Sequence, residues 1–472
     1  YDAAEAAYQR VGELPASAVA IQHKLAFCRY LTGDKQTAAQ RFLALAERRP
    51  AEPAASTQSA PNAESEADAA LREEALSLAA LAFLDAGDGE RALECADRYR
   101  VRHAEGRFVD RTERVAARVL QQRGDLAGAS QRLARAAAVA EARGDRSHAD
   151  DRLELALLAY REGDFAAASR RYEQLAQRAD EVGARACAGR AFCAFELGDD
   201  AACAQWLTAA REHPAAVADE RPALLELQSA LQQRQRDWPA AIDAAATFLA
   251  EFPQHERAPA LAFALGVAKA RHGDFAGARV VLEALAASGR AEDPARVQHE
   301  LAWACRQAGD EAAAVAAFQA LLSLDTRTAP LAEPLADDAR RNLAEAALAA
   351  TPPDLATARP LLLAVVGDGM VEARYRLGLA ELRHADRLAA TEGGGEPQVA
   401  AERTALGAAR EQFVTVANRA GDAPAAAQLA GEALFLAAEC SRRLDEPALV
   451  VEHARALRQR FPQHERLQAT RL

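Results

Sequence analysis

Turn-forming, tiny and bulky apolar residues recur along this chain at fixed offsets. Gly-Asp occurs at Gly33, Gly87, Gly124, Gly163, Gly198, Gly273 and Gly309, and Arg236-Asp237 divides the one gap of 75 residues. Apart from the step from Gly33 to Gly87, the spacing is then 35–39 residues. Seven positions before each anchor the side chain is always tiny: Ala26, Ala80, Ala117, Ala156, Ala191, Ser229, Gly266 and Ala302. Five positions after it the residue is small again: Ala38, Ala92, Ala129, Ala168, Cys203, Ala241, Ala278 and Ala314. Nine positions after it a large apolar group is usual: Phe42, Leu133, Tyr172, Leu207, Leu282 and Phe318. Two helices approach closely only where the touching residues are small, and a bulky neighbour then fills the adjoining hole. Glycine suits a left-handed cap that ends one helix, and aspartate suits the N-cap of the next. The pattern predicts a tandem array of helix–turn–helix units.

Weaker anchors continue the array at Pro353-Asp354 (Ala346 before, Ala358 after), at Ala385-Asp386 (Gly378 before) and at Leu444-Asp445 (Ala437 before). At the last of these Leu449 stands where a small residue belongs. Three stretches break the period. Residues 50–68, rich in Pro, Ser, Ala and acids, cannot bury a core and are expected to form a disordered-type loop. Residues 326–338 are expected to extend one inter-repeat turn, and the glycine-rich 391–398 to form a loop between two helices. The hexapeptide FPQHER occurs at 252–257 and again at 461–466. Proline cannot extend a helix without losing a backbone donor and pushes the residue before it out of helical geometry. Each copy therefore reads as a joint between repeats. The opening YDAAEAAYQRV matches the start of a second helix, as in GDFAAASRRYEQL, and the closing FPQHERLQATRL matches the start of a first one. The chain is thus expected to be cut within a repeat at both ends, with no polar cap at either.

These anchors and offsets resemble the tetratricopeptide repeat (TPR) family, over nearly the whole of residues 1–472. The resemblance implies an all-α fold, a single right-handed α-solenoid of about 10–11 tandem helix–turn–helix repeats. The family's Trp in the first helix and Tyr before the turn are mostly missing. FLAEFPQHERAPALAFALGVAKARHGDFAGA (248–278) is also similar to bacterial envelope members of that family, of the barrel-assembly lipoprotein and Tol–Pal-associated coordinator type. That likeness implies a periplasmic or cell-envelope setting, with the cytoplasm as the alternative.

Composition agrees with helices: about a quarter of the residues are alanine, the best helix former, and aromatic residues make up 5%. A net charge of −12 argues against a nucleic-acid partner, and the basic residues alternate with acids. No apolar run reaches the roughly 18 residues that a membrane span needs. The seven cysteines form no CxxC pair and read as core thiols, with a redox or metal cluster of Cys187, Cys193 and Cys203 as the alternative. The basic run 98–118 reads as a solvated face or as a dock for an acidic partner.

The sequence carries no phosphate-binding GxxxxGK[ST] and no GxSxG elbow. His299-Glu300 begins like the zinc motif HExxH, but Trp303 replaces the second histidine. No catalytic residue, cofactor or metal is expected. The TPR resemblance places residues three, six and ten positions before each turn on a concave groove. Those positions hold Tyr160, Phe192, Phe195, Phe263, Trp303 and Tyr375, and aromatic residues are frequent anchors in binding grooves. Packing between neighbouring repeats is the competing use of the same side chains. Lysine occurs at Lys24, Lys35 and Lys269 alone, and asparagine at Asn62, Asn342 and Asn418 alone, too few for the Lys–Asn carboxylate clamp of chaperone-tail binders in this family. The expected function is a non-catalytic scaffold for peptide or helical segments of protein partners. The alternatives are a regulatory segment of a larger enzyme and a homo-oligomer stacked through its uncapped ends.

Overall fold

The computed structural model describes residue 8 and residues 18–48, 66–145, 148–324, 331–391, 395–420 and 424–468. The chain forms two units, Tyr1–Leu231 and Gln232–Leu472. In the first, the helices are α1 (Ala18–Leu31), α2 (Lys35–Glu47), α3 (Glu66–Asp85), α4 (Gly89–Arg102), α5 (Val109–Gln122) and α6 (Leu126–Ala142). They continue as α7 (His148–Arg161), α8 (Phe165–Leu175), α9 (Glu181–Glu196), α10 (Asp200–Glu212) and α11 (Arg221–Arg234), which runs past the boundary. The second holds α12 (Trp238–Glu251), α13 (Ala258–His272), α14 (Phe275–Ser288), α15 (Pro294–Gln307), α16 (Glu311–Leu322) and α17 (Glu333–Ala349). It ends with α18 (Leu355–Leu363), α19 (Met370–Ala390), α20 (Glu396–Arg419), α21 (Pro424–Arg443) and α22 (Pro447–Arg460). Among the described residues there is no strand. Each unit is an all-α solenoid in which consecutive helices pack as antiparallel pairs. First helices also touch the next first helix, as α3 does α5 and α15 does α17.

The turns follow from two residues. All seven anchor glycines adopt a left-handed φ between 76° and 94°, where a Cβ would clash with the following carbonyl. The aspartate after each glycine starts the second helix, and at every anchor after Gly33 it also closes the first. There its N–H reaches back to a carbonyl five residues earlier, as Asp88 does to Phe83 at 2.9 Å and Asp274 to Lys269 at 2.9 Å. Its carboxylate accepts the N–H three residues on, starting the second helix at Asp34, Asp88, Asp125, Asp164, Asp199, Asp274 and Asp310, and likewise at Asp237 and Asp354. Arg236 and Asp445, which replace glycine at two turns, take φ of 60° and 62°.

The spaced small and large residues form the core. Ala26, Ala38, Phe42, Ala80, Ala92, Ala156, Ala168, Ala302 and Phe318 are all buried. At Gly266 an added Cβ would lie 2.6 Å from Leu282, so the glycine is the hole that leucine fills. In the last repeat His453, on α22, is buried with its Nε2 lacking a hydrogen-bond partner among the described residues. Burial pushes this imidazole below its ordinary value near 6.5. A lowered folded pKa means that the unfolded chain takes up the proton first, so stability present above pH 6.5 is lost as the pH falls through the folded value. His453→Leu should therefore stabilise by about 1–2 kcal/mol at neutral pH and by more in mild acid, read from denaturant midpoints at two pH values.

The turn expected at Ala385-Asp386 is absent: α19 runs through it to Ala390. At the two turns where another residue takes the glycine's left-handed place, a proline sits just inside the next helix, Pro239 after Arg236 and Pro447 after Asp445. Neither residue occurs between Leu379 and Thr391, so nothing stops the helix there. The expected loop 50–68 lies outside the described residues up to 65, and residues 66–68 open α3. Of 326–338, residues 326–330 lie outside them and α17 starts at Glu333; of 391–398, residues 392–394 lie outside and α20 starts at Glu396. The opening half-repeat, residue 8 apart, and residues 469–472 of the closing one also lie outside the described residues.

The two FPQHER copies fold alike. In each the Phe N–H closes the preceding helix, Phe252 onto Phe248 at 2.8 Å and Phe461 onto Leu457 at 2.9 Å. Each histidine N–H then bonds the Phe carbonyl, at 3.1 and 3.0 Å. Each histidine Nδ1 accepts the arginine N–H, at 3.1 Å in the first copy and 3.3 Å in the second.

Candidate functional site

The first helices carry a ladder of polar contacts that repeats at the period of the array. In the first unit Arg114 on α5 holds Asp151 on α7 with two bonds, of 2.8 and 3.0 Å, and Tyr160 on α7 donates to Glu196 on α9 at 3.4 Å. Gln121 bonds Glu154 at 2.8 Å. In the second unit Trp303 Nε1 on α15 donates to Asp338 Oδ2 on α17 at 3.0 Å, and His299 Nε2 lies 2.9 Å from the same oxygen. Arg306 bonds Asn342 one helical turn further on. The bond to His299 outweighs burial and, with the Trp303 bond and Arg341, holds the Asp338 carboxyl below its usual range. Asp338 was not singled out in the sequence. Its signal is its separation from His299 and Trp303, one repeat period in each case.

All six aromatic residues expected to line a groove are half-buried, and they fall into separate clusters. Tyr160 meets Phe165 edge-on at 5.1 Å, and its hydroxyl is pushed up to about 12 by burial and then by Glu196. Phe192 and Phe195 share one cluster, against Cys203, Leu207, Leu227 and Leu231. Phe263 and Trp303 border another, in the second unit; Arg296 lies over the Phe263 ring at 5.2 Å, and Trp303 meets Phe318 edge-on at 6.4 Å. Tyr375, on α19, packs edge-on against Phe413 on α20 at 5.8 Å. These contacts are inter-helix packing.

Tyr375 also lines a cleft of about 620 Å³ with Leu429 and Glu432 on α21 and the second FPQHER joint, Phe461, Pro462, His464 and Arg466. A second cleft, of about 570 Å³, opens on the α17 and α18 side of the same α19. Its apolar part comes from Leu348, Pro353, Leu355, Leu362, Leu379 and Ala380, and its rim from Arg341, Glu345, Arg376, Arg383, Asp386 and Arg387. Its origin is local: α18 has nine residues, whereas α19 has 21 and overshoots the expected turn, carrying its last charged turns alongside. A cleft with an apolar interior and a charged rim can seat an amphipathic segment.

The remaining chemical candidates are internal. The seven cysteines are buried; Cys187 and Cys193 lie in one core cluster and Cys203 in the next. Burial raises the thiols of Cys187 and Cys193, the latter to about 11, which disfavours the reactive thiolate. Among the described residues no three His, Cys, Asp or Glu side chains come together to hold a metal ion, and no helix is long and apolar enough to cross a membrane. Within the basic run, Arg98 pairs with Glu47 and Glu94, Arg100 with Asp97, and Arg114 with Asp110 and Asp151.

No protein-family model matches the chain, and no curated protein matches it. Among solved structures it is similar to a tetratricopeptide repeat protein from Parabacteroides merdae, at 14% identity over 57% of this chain and 97% of that one, with a TM-score of 0.39. It is also similar to the C-terminal part of a TPR repeat-containing protein from Cytophaga hutchinsonii, at 11% identity over 68% and 99% of the two chains and a TM-score of 0.36. The human IFIT1 dimer, solved with PPP-AAAA, is 14% identical over 96% of this chain and 93% of its own, with a TM-score of 0.32. These likenesses concern fold alone.

Proposed function

We propose that this chain is a non-catalytic scaffold that binds segments of protein partners along α19 in its second unit. The observation that carries the reading is the cleft between α17, α18 and α19, where apolar side chains stay accessible beneath charged ones. Soluble repeat proteins bury such side chains unless a partner uses them. Of the six aromatic residues, Tyr375 lies on α19 itself and fixes that helix against Phe413 of α20. The acidic net charge fits protein rather than nucleic-acid partners. A photo-crosslinking amino acid at position 376, on the cleft rim, should capture defined partner peptides from a native lysate, identified by mass spectrometry. The same probe at position 455 on α22 should not capture them. An identical set of captured proteins at both positions, or none at 376, would count against the reading.

The bacterial envelope setting belongs to the same proposal and rests on the similarity of residues 248–278. Fractionation of cells making the natural protein decides it: recovery in the periplasm supports it, and recovery in the cytoplasm overturns it.

A further inference from the structure

The rim of the α17–α19 cleft is unevenly charged. Four arginines face it, Arg341, Arg376, Arg383 and Arg387, against the carboxylates of Glu345 and Asp386. Both carboxylates have partners elsewhere. Asp386 takes Arg443 at 2.5 Å, and Glu345 takes Arg306 at 3.3 Å as well as Arg376 at 3.8 Å. Arg341 pairs with Asp338 at 3.2 Å. Arg383 and Arg387 are exposed, and neither guanidinium group makes an ion pair or hydrogen bond among the described residues. They lie one helical turn apart on one face of α19, with Cβ atoms about 5–6 Å from each other.

Resting on the scaffold reading above, we infer that this cleft takes an acidic amphipathic helix of a protein partner. Its apolar side chains at i, i+3 or i+4, and i+7 would span about 10 Å along the floor between Leu348, Leu355 and Leu379, which are partly exposed. Its glutamates or aspartates would meet the two unpaired guanidinium groups, which bind carboxylates through two parallel N–H bonds. A nucleic-acid backbone offers the same charge but no apolar face for these three leucines. The protein as a whole is acidic, so recognition depends on this local pair of cations and not on a general field.

The test uses the full chain and three labelled synthetic helical peptides with identical leucine positions, whose polar positions are all Glu, all Gln or all Lys. Fluorescence anisotropy should give the Glu peptide at least tenfold higher affinity than the Gln peptide, and no binding of the Lys peptide. Arg383→Glu with Arg387→Glu should weaken the Glu peptide at least tenfold. Arg455→Glu with Arg458→Glu, the same charge change on the exposed side of α22, should leave it within about twofold. Far-ultraviolet circular dichroism checks that all variants keep their helicity, as expected for exposed side chains without partners. Equal binding of the Glu and Lys peptides, equal loss in both double variants, or displacement of the Glu peptide by an unstructured RNA oligomer would overturn the inference. If the Gln or Lys peptide binds as tightly as the Glu peptide and Leu379→Asp abolishes that binding, the scaffold reading stands and the acidic partner falls. If no peptide binds and the position-376 crosslinks are also empty, both fall.

Discussion

Replacing Phe413 by alanine is expected to destabilise the second unit by about 3–5 kcal/mol, the usual cost of deleting a buried aromatic ring. The ring is fully buried on α20, where it meets Tyr375 edge-on, and it fills the gap left by Gly378 on α19. A Cβ at Gly378 would lie 2.7 Å from Cε1 of that ring and 3.0 Å from Cδ1 and Cζ. Gly378→Ala should accordingly lose about 1–3 kcal/mol to overpacking, more than the helix propensity it gains. The two sites should couple: Gly378→Ala should cost less in a Phe413→Leu background, because the smaller side chain gives the new methyl room. Repeats contact mainly their neighbours, so amide hydrogen exchange should quicken first in α19 and α20. Unchanged protection there after Phe413→Ala would show that this interlock does not hold the helices.

The second large effect is expected at Arg114, whose removal as Arg114→Ala should cost about 3 kcal/mol at neutral pH. Its partner Asp151 is 4% exposed, and burial already raises this carboxyl above its usual range despite the bonds to Arg114. A raised folded pKa contributes stability that is present below the unfolded value, near 3.8, and lost as the pH rises through the folded one. Without Arg114 the folded pKa rises further. The deficit of Arg114→Ala relative to the parent should therefore shrink as the pH is lowered from 7 towards 4, measured by urea titration at each pH. Arg114→Leu with Asp151→Leu, which removes both charges, should fall within about 1 kcal/mol of the parent. A deficit independent of pH would mean that Arg114 acts through packing alone.

Most of the fold was legible because its determinants are local. A left-handed turn favours glycine, a proline suits the first turn of the helix that follows, and a helix start needs an acceptor such as Asp34 or Asp274. Tiny residues at one offset and bulky ones at another locate the helix-pair interface, as Gly266 against Leu282 illustrates. The same local rules, applied to the missing glycine and proline, explain why the turn expected at Ala385-Asp386 gives way to a longer helix. The six aromatic positions could not be assigned from spacing alone. An offset from a turn fixes which side of a first helix a residue occupies, but not whether the next helix covers it. Tyr160 to Glu196 and Trp303 to Asp338 are contacts one repeat away.

The sequence by itself determined an all-α array of helix pairs, the chemistry of its turns and the small-against-large interlock of its core. Each depends on residues close in sequence or at a fixed period. Tertiary structure alone decided which polar partners link one first helix to the next, and where a cleft stays open. Those outcomes depend on the relative lengths of α17, α18 and α19 and on which side chains the neighbouring helix leaves uncovered. A pattern of residue types along one strand of chain does not encode that geometry until the helices are packed.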